Sequence, residues 1–415
     1  MRIRLLLAAL LAASTLHAQD WIGTWSPADM ALIPANMANP PLGQQDVTIR
    51  QVVHISQGGK RMRITFTNEF GTTPLRIAAA HVAFLSAGST ILSQTDRALT
   101  FNGQPGITLA PGQFVSSDAV AETVPIFSDL VISTAVPAQP LPAVTGHIAA
   151  HTSTFFAAGD QTAALQFASP TTTAPDATSS AGAPALLLQN TSWYFLRDVQ
   201  VDATRKSAAL VAFGDSITDG TGSTSGTNRR WPDVFAALLA NNTKTASVAV
   251  LNKGIGGNRV LTDDRGQRAL DRFDRDVLSQ PHARFVVLME GINDIGVSHR
   301  TPAEAVTAQQ IIDGLTTLAA RAHAVRLKVF AATLTPFIDA AYYGPEGEVM
   351  RQQVNKFLRT STAFDGLLDF DKVLDDPANP GHMQPKFDCG DHLHPSDMGY
   401  AAMANSINLK LFEKK

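Results

Sequence analysis

Apolar and polar residues alternate along the first half of the chain. Alternation with a period of two begins at Val47 and predicts strands over residues 47–55 and 62–66. Because a Gln-Gly-Gly-Lys turn lies between these two runs, we expect them to form a β-hairpin. Further strand-like runs occupy residues 75–85, 107–109, 113–116, 129–135 and 192–196.

Turns containing Gly, Pro or Asn separate these runs, and the pattern predicts no amphipathic helix before about residue 205. Many short strands at this spacing are typical of a β-sandwich, of which the jelly roll is one form. Residues 34–41 are rich in Pro and Asn and predict an irregular arm. Residues 170–184 are rich in Thr, Ala and Ser and predict a low-complexity surface loop.

From residue 207 the pattern changes to short apolar runs that alternate with helical segments. The predicted strands are 208–213, 247–251, 284–289, 327–334 and 367–370, and the predicted helices are 231–240, 267–279, 302–325, 346–360 and 395–412. Pro302 and Pro395 suit the first turn of a helix. Alternation of this kind predicts a parallel sheet with helices on both faces, so an α/β domain follows the all-β domain.

The N-terminus has the features of a secretory signal peptide. Arg2 and Arg4 precede an apolar run over residues 5–13, and Ala18 is a small residue suited to cleavage. We therefore expect a signal peptide at 1–18, an all-β sandwich domain at 19–205 and an α/β domain at 206–415. The apolar run is well short of the roughly 20 residues that span a membrane, so we expect a secreted or periplasmic bacterial protein without stable membrane insertion.

The composition limits which classes of binding partner are expected. The 415-residue chain has 17% charged residues and a formal net charge of −3, with no basic stripe, which argues against nucleic acid as a partner. Cys389 is the single cysteine, so an intrachain disulfide is impossible.

Candidate catalytic residues follow the predicted strands of the second half. Ser216 comes directly after the strand at 208–213, where Gly214 permits a sharp turn and Thr218 or Asp219 is predicted to cap the helix or turn that follows. In open α/β sheets, ligands bind at the carboxyl ends of the strands. This position therefore suits a nucleophile.

Two later loops reach the same edge of the predicted sheet. A glycine-rich bend around Gly257 exposes backbone N–H groups, and Asn293 offers an amide. The N–H groups of Ser216 and Gly257 and the Asn293 amide are three candidate donors to an oxyanion, each worth roughly 3 kcal/mol in comparable enzymes. Neighbouring Gly256 is an alternative to Gly257.

A carboxylate and an imidazole lie close together near the C-terminus. A serine hydroxyl is a poor nucleophile unless a base takes its proton, and His394 is our candidate base. Asp391, three residues earlier, can hold the other ring nitrogen across a tight turn.

These blocks, in this order, resemble the SGNH hydrolases, also called the GDSL esterase and lipase family. The blocks are Gly-Asp-Ser-Ile at 214–217, an Asn at 252 with a Gly five residues on, Gly-Ile-Asn-Asp at 291–294, and Asp-His-Leu-His-Pro at 391–395. Ile217 replaces the family's Leu, a change that affects packing more than chemistry. Four ordered blocks are far more specific than any one of them.

The resemblance implies a three-layer α/β/α, flavodoxin-like fold and serine esterase chemistry, without a cofactor or metal. It implies catalytic roles for Ser216, His394 and Asp391, and an oxyanion hole made by Ser216, Gly257 and Asn293. The all-β first half is similar in arrangement to secreted bacterial members with an N-terminal β-domain, some associated with deacetylating plant polysaccharides.

Other interpretations of these residues stay open. His392 is an alternative base, and Tyr342 and Tyr343 are candidates to line an acyl or sugar pocket. Cys389 is expected to be a buried or wall residue rather than a nucleophile, and Glu290 a structural partner. Asp215 and Asp294 are expected to organise loops. A metal site is a further alternative, built from His382, Asp388, Cys389, Asp391, His392 and His394.

The function expected from the sequence is hydrolysis of short-chain esters, acetyl above all, on a small molecule or a polysaccharide. Arylester or lysophospholipid hydrolysis is an alternative, as is acyl transfer to an alcohol. The alternative from another class is a non-catalytic polysaccharide-binding protein.

Overall fold

The computed structural model describes residues 20–33, 42–168, 186–204 and 206–413. The predicted signal peptide, the arm at 34–41 and the loop at 170–184 lie outside the described residues. No helix among the described residues is both long enough and apolar enough to cross a membrane.

The first half is built from antiparallel strands, with a single 3-10 turn at Ser93–Thr95 among its described residues. The strands are β1 (Trp21–Trp25), β2 (Met30–Leu32), β3 (Val47–His54), β4 (Met62–Thr67), β5 (Leu75–Ile77), β6 (Ala79–Ala87), β7 (Thr90–Ile91), β8 (Arg97–Ala98), β9 (Ile107–Leu109), β10 (Phe114–Ser116), β11 (Asp129–Val136), β12 (Val144–His147), β13 (Thr154–Ala158), β14 (Leu186–Asn190), β15 (Trp193–Tyr194) and β16 (Leu196–Asp202).

Two larger sheets share one hydrophobic core in this half. One has the order β1-β16-β4-β10, and the other has the order β14-β13-β3-β11-β6-β7, with β8 also paired to β6. Ile49 and Val53 of β3 meet Ile64 and Phe66 of β4 in that core. Smaller sheets, β15-β12-β2 and β5-β9, complete the all-β region.

The predicted β-hairpin between β3 and β4 is wrong, because these strands lie in different sheets. β3 pairs with β11 and β13, whereas β4 pairs with β10 and β16. The glycine-rich turn has distant partners: the Gly59 N–H donates to the Val124 carbonyl, and the Asp202 carboxylate accepts from the N–H of Lys60 and of Arg61. The alternation marked the strands correctly, but long-range pairing decided their neighbours.

The second half alternates strands and helices. Its elements are β17 (Ala208–Gly214), α1 (Ser216–Asp219), α2 (Trp231–Ala240), β18 (Val248–Gly254), α3 (Ala269–Phe273), β19 (Ala283–Met289), α4 (Ile292–Arg300), α5 (Ala308–Ala324), β20 (Lys328–Ala332), α6 (Pro345–Thr360), β21 (Gly366–Leu368), α7 (Phe370–Leu374), β22 (Asp375–Asp376), β23 (Asn379–Met383) and α8 (Asp397–Asn405). A π-helical turn at Asp274–Leu278 follows α3, and 3-10 turns occupy Pro302–Glu304 and Leu409–Phe412.

The five predicted strands form a parallel sheet of order β18-β17-β19-β20-β21. All residues of the central strand β17 are buried, as expected for a strand covered on both faces. On one face, Val211 and Phe213 pack with α3 and α5 and with the all-β region. On the other, Leu210 and Ala212 pack with α2 and α8. The predicted fold class is confirmed, whereas the domain limits stay a prediction.

The predicted helices differ from the observed helices at two proline residues and in one predicted loop. Pro302 opens a separate 3-10 turn, and α5 begins later because Thr307 forms a capping box with Gln310. Pro395 lies outside α8, whose N-cap is Ser396. The predicted loop at 290–294 opens helix α4, which was missed because its first turn carries inward-facing polar residues.

The all-β region covers the edge of the parallel sheet. β18 is an edge strand, and the Ser56 hydroxyl accepts a hydrogen bond from the Val250 N–H at 3.0 Å. The same hydroxyl lies within donating distance of the carbonyl oxygens of Thr24 (2.8 Å) and Val250 (3.0 Å). Nearby, the Gln57 amide donates to the Ala246 carbonyl at 2.8 Å. These contacts satisfy backbone groups that a bare sheet edge would leave unpaired.

We expect Ser56→Ala to lower the free energy of unfolding by about 1–3 kcal/mol, because it removes the side-chain partner of the buried Val250 N–H and carbonyl. Urea denaturation followed by circular dichroism measures this. Ser128→Ala is the matched control, because that hydroxyl bonds the Pro125 carbonyl at the surface. Equal losses in the two variants would contradict the edge-capping role.

Candidate active site

The candidate nucleophile lies on a one-turn helix that begins where β17 ends. Asp215 is the N-cap of α1, and its Oδ1 accepts from the Ile217 N–H at 2.9 Å. The prediction that Thr218 or Asp219 supplies the cap is therefore wrong, because the shorter turn brings the preceding carboxylate onto the free N–H groups. At Gly214 a Cβ would lie 2.3 Å from the Thr218 hydroxyl oxygen, so the turn requires glycine.

A chain of hydrogen bonds joins the three residues predicted to be catalytic. His394 Nε2 lies 2.8 Å from Ser216 Oγ, and His394 Nδ1 lies 2.6 Å from Asp391 Oδ2. A carboxylate can only accept, so Nδ1 carries the proton and Nε2 is free to accept from the serine hydroxyl. Two segments far apart in sequence thus meet as the spacing of the blocks predicts.

Asp391 is held in its turn by backbone donors. Its Oδ1 accepts from the N–H of His394 at 2.8 Å and of Leu393 at 3.0 Å. Partial burial opposes its charge, but the hydrogen bonds from His394 and Leu393 outweigh burial and lower the pKa of Asp391 below its ordinary value. The carboxylate therefore stays ionised across the neutral range and can stabilise a charged imidazole.

The predicted oxyanion donors follow the ends of three neighbouring strands: Ser216 opens α1 after β17, Gly257 lies in the loop after β18, and Asn293 lies in the first turn of α4 after β19. Gly257 has φ +77°, in the left-handed region, which suits glycine. The Asn293 amide donates to the Asn258 carbonyl at 2.9 Å, and its Oδ1 accepts from the Tyr342 hydroxyl at 3.3 Å. These bonds fix the amide orientation and leave its second N–H for an incoming oxygen. The choice between Gly256 and Gly257 as a donor stays a prediction.

Comparison with known protein families gives a match in the second half of the chain. Residues 212–402 match the model of the GDSL-like Lipase/Acylhydrolase family. We refer to the matched segment, residues 212–402, as the GDSL-like domain. The search of curated proteins found no match.

Solved structures similar to this chain include three hydrolases. A lipolytic protein of the G-D-S-L family from Desulfitobacterium hafniense is 20% identical, with a TM-score of 0.37, over 48% of this chain and 97% of its own. An acylhydrolase from Bacteroides fragilis is 20% identical, with a TM-score of 0.38, over 50% and 88%. Axe2, an acetylxylan esterase from Geobacillus stearothermophilus, is 23% identical, with a TM-score of 0.38, over 51% and 98%.

The surroundings of His392 and Cys389, in the last block, differ from those of His394. His392 Nδ1 lies 2.7 Å from Asp388 Oδ2, and its side chain is half exposed. Burial and nearby carboxylates raise the pKa of the Cys389 thiol to about 11, so it is protonated at neutral pH and is a poor nucleophile. His394, and not His392, contacts Ser216.

The six residues considered as a metal site do not come together as one cluster. Among the residues that the structure describes, only Asp388, Cys389 and Asp391 bring ligand atoms within 4.8 Å of one another. His394 contacts Ser216, and His382 lies 3.4 Å from the carboxylate of Asp339.

Buried carboxyl groups organise the loops of the GDSL-like domain. The Asp294 carboxylate accepts from the N–H of Val260 at 2.8 Å and of Leu261 at 3.2 Å. Burial raises the pKa of Asp294 to about 6 and that of Asp215 to about 7. Both carboxyls hold backbone N–H groups, as expected.

Arg272 is a central residue that sequence reasoning missed. It is fully buried on α3, and its guanidinium donates to the carbonyls of Gly214 and Lys253, both at 2.9 Å. It also donates to Asn258 Oδ1 at 2.9 Å and to Glu290 at 3.0 Å, which confirms Glu290 as a structural partner. One planar group thus ties together the ends of β17, β18 and β19.

A sequence signal for this residue existed. In the predicted helix 267–279, Arg272 and Asp276 are four residues apart and lie among the apolar positions Ala269, Phe273 and Val277, all of which are buried. A charged pair at helical spacing on the apolar side of an amphipathic helix indicates a buried polar network.

We expect Arg272→Met to lower the free energy of unfolding by about 3–5 kcal/mol, because it leaves Glu290 buried without its cation and removes one of the two arginines that pair with Asp276. Chemical denaturation measures the change. Arg268→Met is the control, because Arg268 lies at the exposed start of α3, where it pairs with the surface carboxylate of Asp271 and donates to the Leu261 carbonyl. A loss no larger than that of the control would refute the role of Arg272.

Proposed function

We propose that this protein is a serine esterase that cleaves short-chain esters, acetyl above all. The observation that carries the proposal is the hydrogen-bond chain from Ser216 through His394 to Asp391. Its atoms lie at the distances required for proton transfer from a serine hydroxyl to an imidazole. The match to the GDSL-like family supports hydrolase chemistry in a segment, residues 212–402, that contains all three residues.

The reaction proceeds through an acyl-enzyme in this proposal. Ser216 Oγ attacks the ester carbonyl carbon while its proton passes to His394 Nε2, and the Asp391 carboxylate stabilises the imidazolium. The tetrahedral oxyanion accepts hydrogen bonds from the N–H of Ser216, the N–H of Gly257 and the Asn293 amide. His394 then gives the proton to the leaving alkoxide, and the alcohol departs.

Water completes the cycle. It attacks the acyl carbon while His394 takes its proton, and a second tetrahedral intermediate collapses to release the acid and return the proton to Ser216 Oγ. Every proton is accounted for within the enzyme, substrate and water, so this route requires no cofactor. Transfer to a second alcohol would use the same residues.

A neutral substrate with a small acyl group fits the residues of the site best. Gly257, Asn258 and Asn293, on the oxyanion side, are small or polar, and the Tyr342 hydroxyl adds a further polar group. A formal net charge of −3 over 415 residues gives little attraction for a strongly charged partner. An acetylated small molecule or carbohydrate is the substrate class we propose.

Export is part of the proposal. Cleavage after Ala18 would place the enzyme outside the cytoplasm, where polymeric esters are accessible.

We expect Ser216→Ala and His394→Ala each to reduce kcat/KM on p-nitrophenyl acetate by at least about a thousandfold, because each removes a member of a cooperative unit. His392→Ala is the matched control: it removes a neighbouring imidazole that also pairs with an aspartate but does not contact Ser216. Activity that survives in Ser216→Ala, or is lost equally in His392→Ala, would overturn the assignment.

Acyl specificity is tested with p-nitrophenyl esters from acetate to octanoate and with acetylated xylan. We expect kcat/KM to be highest for acetate and to fall as the chain lengthens, because Gly257, Asn258 and Asn293, beside the proposed oxyanion, are small or polar. A maximum at octanoate would refute the short-acyl proposal while leaving the serine mechanism intact. Released acetate from xylan, measured by chromatography, would extend the substrate class to polysaccharide.

A further inference from the structure

A buried histidine of the all-β region contacts the helix that carries Ser216. His147 is the last residue of β12, and its side chain is only 2% exposed. Its Nδ1 lies 2.8 Å from the Ala28 carbonyl oxygen, and its Nε2 lies 3.1 Å from Asp219 Oδ1. Asp219 is the last residue of α1. The imidazole therefore links the all-β region to the nucleophile helix.

The two partners define the protonation of this imidazole. A carbonyl oxygen only accepts, so Nδ1 must donate to Ala28. An ionised carboxylate also only accepts, so Nε2 must donate to Asp219. Both nitrogens carry protons only in the imidazolium form, and the pair is a buried ion pair.

A buried cation lies beside this pair. Arg230 Nη1 is 3.5 Å from the Asp219 main-chain carbonyl oxygen, and Arg230 Nε is 2.7 Å from the Asp233 carboxylate. A cation beside a carboxyl group stabilises the carboxylate. The Asp219 side chain thus has both the Arg230 guanidinium and the His147 imidazole as neighbours.

Other groups around this pair are consistent with a positive His147. His151 Nε2 lies 4.0 Å from Asp219 Oδ2, and burial lowers the pKa of His151, so this second imidazole is neutral. Burial raises the pKa of Asp29 to about 7. The ring of Trp193 lies 5.6 Å from the His147 ring, centroid to centroid, at an interplanar angle of 33°. An aromatic face at this distance attracts a cation.

We propose that His147 is a positioning residue: as an imidazolium held between Ala28 and Asp219, it fixes the nucleophile helix against the all-β region. Helix α1 has only one turn, so few intrahelical bonds hold it. From the side of the parallel sheet, the Asn252 amide donates to the Thr218 carbonyl at 2.7 Å. From the all-β region, His147 contacts the Asp219 side chain. Ser216 Oγ is thus oriented from both halves of the chain.

The direction of the pH dependence follows from the ion pair. Burial opposes the charge on His147, but the Asp219 carboxylate, the Ala28 carbonyl and Asp29 together outweigh burial and raise the pKa of His147 above its ordinary value of 6.5. A raised histidine pKa contributes stability that is complete below the unfolded pKa and is lost as the pH rises through the folded pKa. The hold on α1 therefore weakens on the alkaline side.

The charge state is tested by nitrogen NMR of histidine-labelled Ser216→Ala protein, which needs no activity. We expect both ring nitrogens of His147 to be protonated at pH 7, a midpoint above the ordinary value, and a lower midpoint after Asp219→Asn. The His147 signals are assigned by their loss in His147→Gln, or by their shift in Asp219→Asn if that variant does not fold. A neutral ring at pH 7 would overturn the proposal.

The positioning role is tested by kinetics and rests on the proposed esterase function. We expect His147→Gln to lower kcat on p-nitrophenyl acetate by about 10- to 100-fold with little change in KM, because a misplaced nucleophile slows chemistry more than binding. His282→Gln is the matched control: His282 contacts Asp20 at 2.6 Å but does not touch α1, so its kcat should stay near that of the wild type.

The two tests fail in different ways. An unchanged kcat in His147→Gln would refute the positioning role even if His147 is charged. An inactive wild type would refute the esterase function, and the NMR measurement would still decide the charge of His147. Equal kcat losses in His147→Gln and His282→Gln would indicate general loosening between the regions and would also count against the proposal.

Discussion

The active-site edge of this protein depends on one buried guanidinium. Arg272 donates to the main chain at the ends of two neighbouring strands and to Glu290 just beyond a third, so the loops that follow are fixed relative to one another. Arginine suits this task because its planar group offers five donors in a fixed arrangement, which a lysine cannot reproduce. The Cζ atom of Arg272 lies 3.9 Å from the centroid of the Phe213 ring, so the cation has an aromatic partner as well.

The environment of each carboxyl group separates the structural acids from the one that pairs with His394. Burial raises the pKa of Asp215, Asp294 and Glu290, and these groups hold backbone N–H groups or Arg272. Asp391 is half exposed, and its hydrogen bonds lower its pKa. The environment thus shifts the pKa values of chemically similar acids in opposite directions, and the lowered value belongs to the carboxylate that bonds the histidine in contact with Ser216.

The all-β region and the GDSL-like domain pack against each other through a shared hydrophobic core. A continuous hydrophobic core contains Trp25 and Ile22 of the first region together with Val211 and Phe213 of the parallel sheet. Polar contacts follow the same boundary, including Lys253 Nζ on Ser26 Oγ at 2.6 Å. Buried polar bonds and a shared core make the relative position of the two regions specific. This explains how a residue such as His147 can act on the nucleophile helix.

The sequence by itself determined the strand and helix pattern of the second half and the four blocks that meet at its edge, because periodicity and turn chemistry are local. Only the tertiary structure decided that β3 and β4 lie in different sheets, that α4 begins in the Asn293 loop, and that Arg272 and His147 hold the site. Those outcomes depend on contacts between residues far apart in the chain. No local pattern encodes which distant carbonyl or carboxylate a buried cation will meet, since that partner exists only after the sheets and helices have packed.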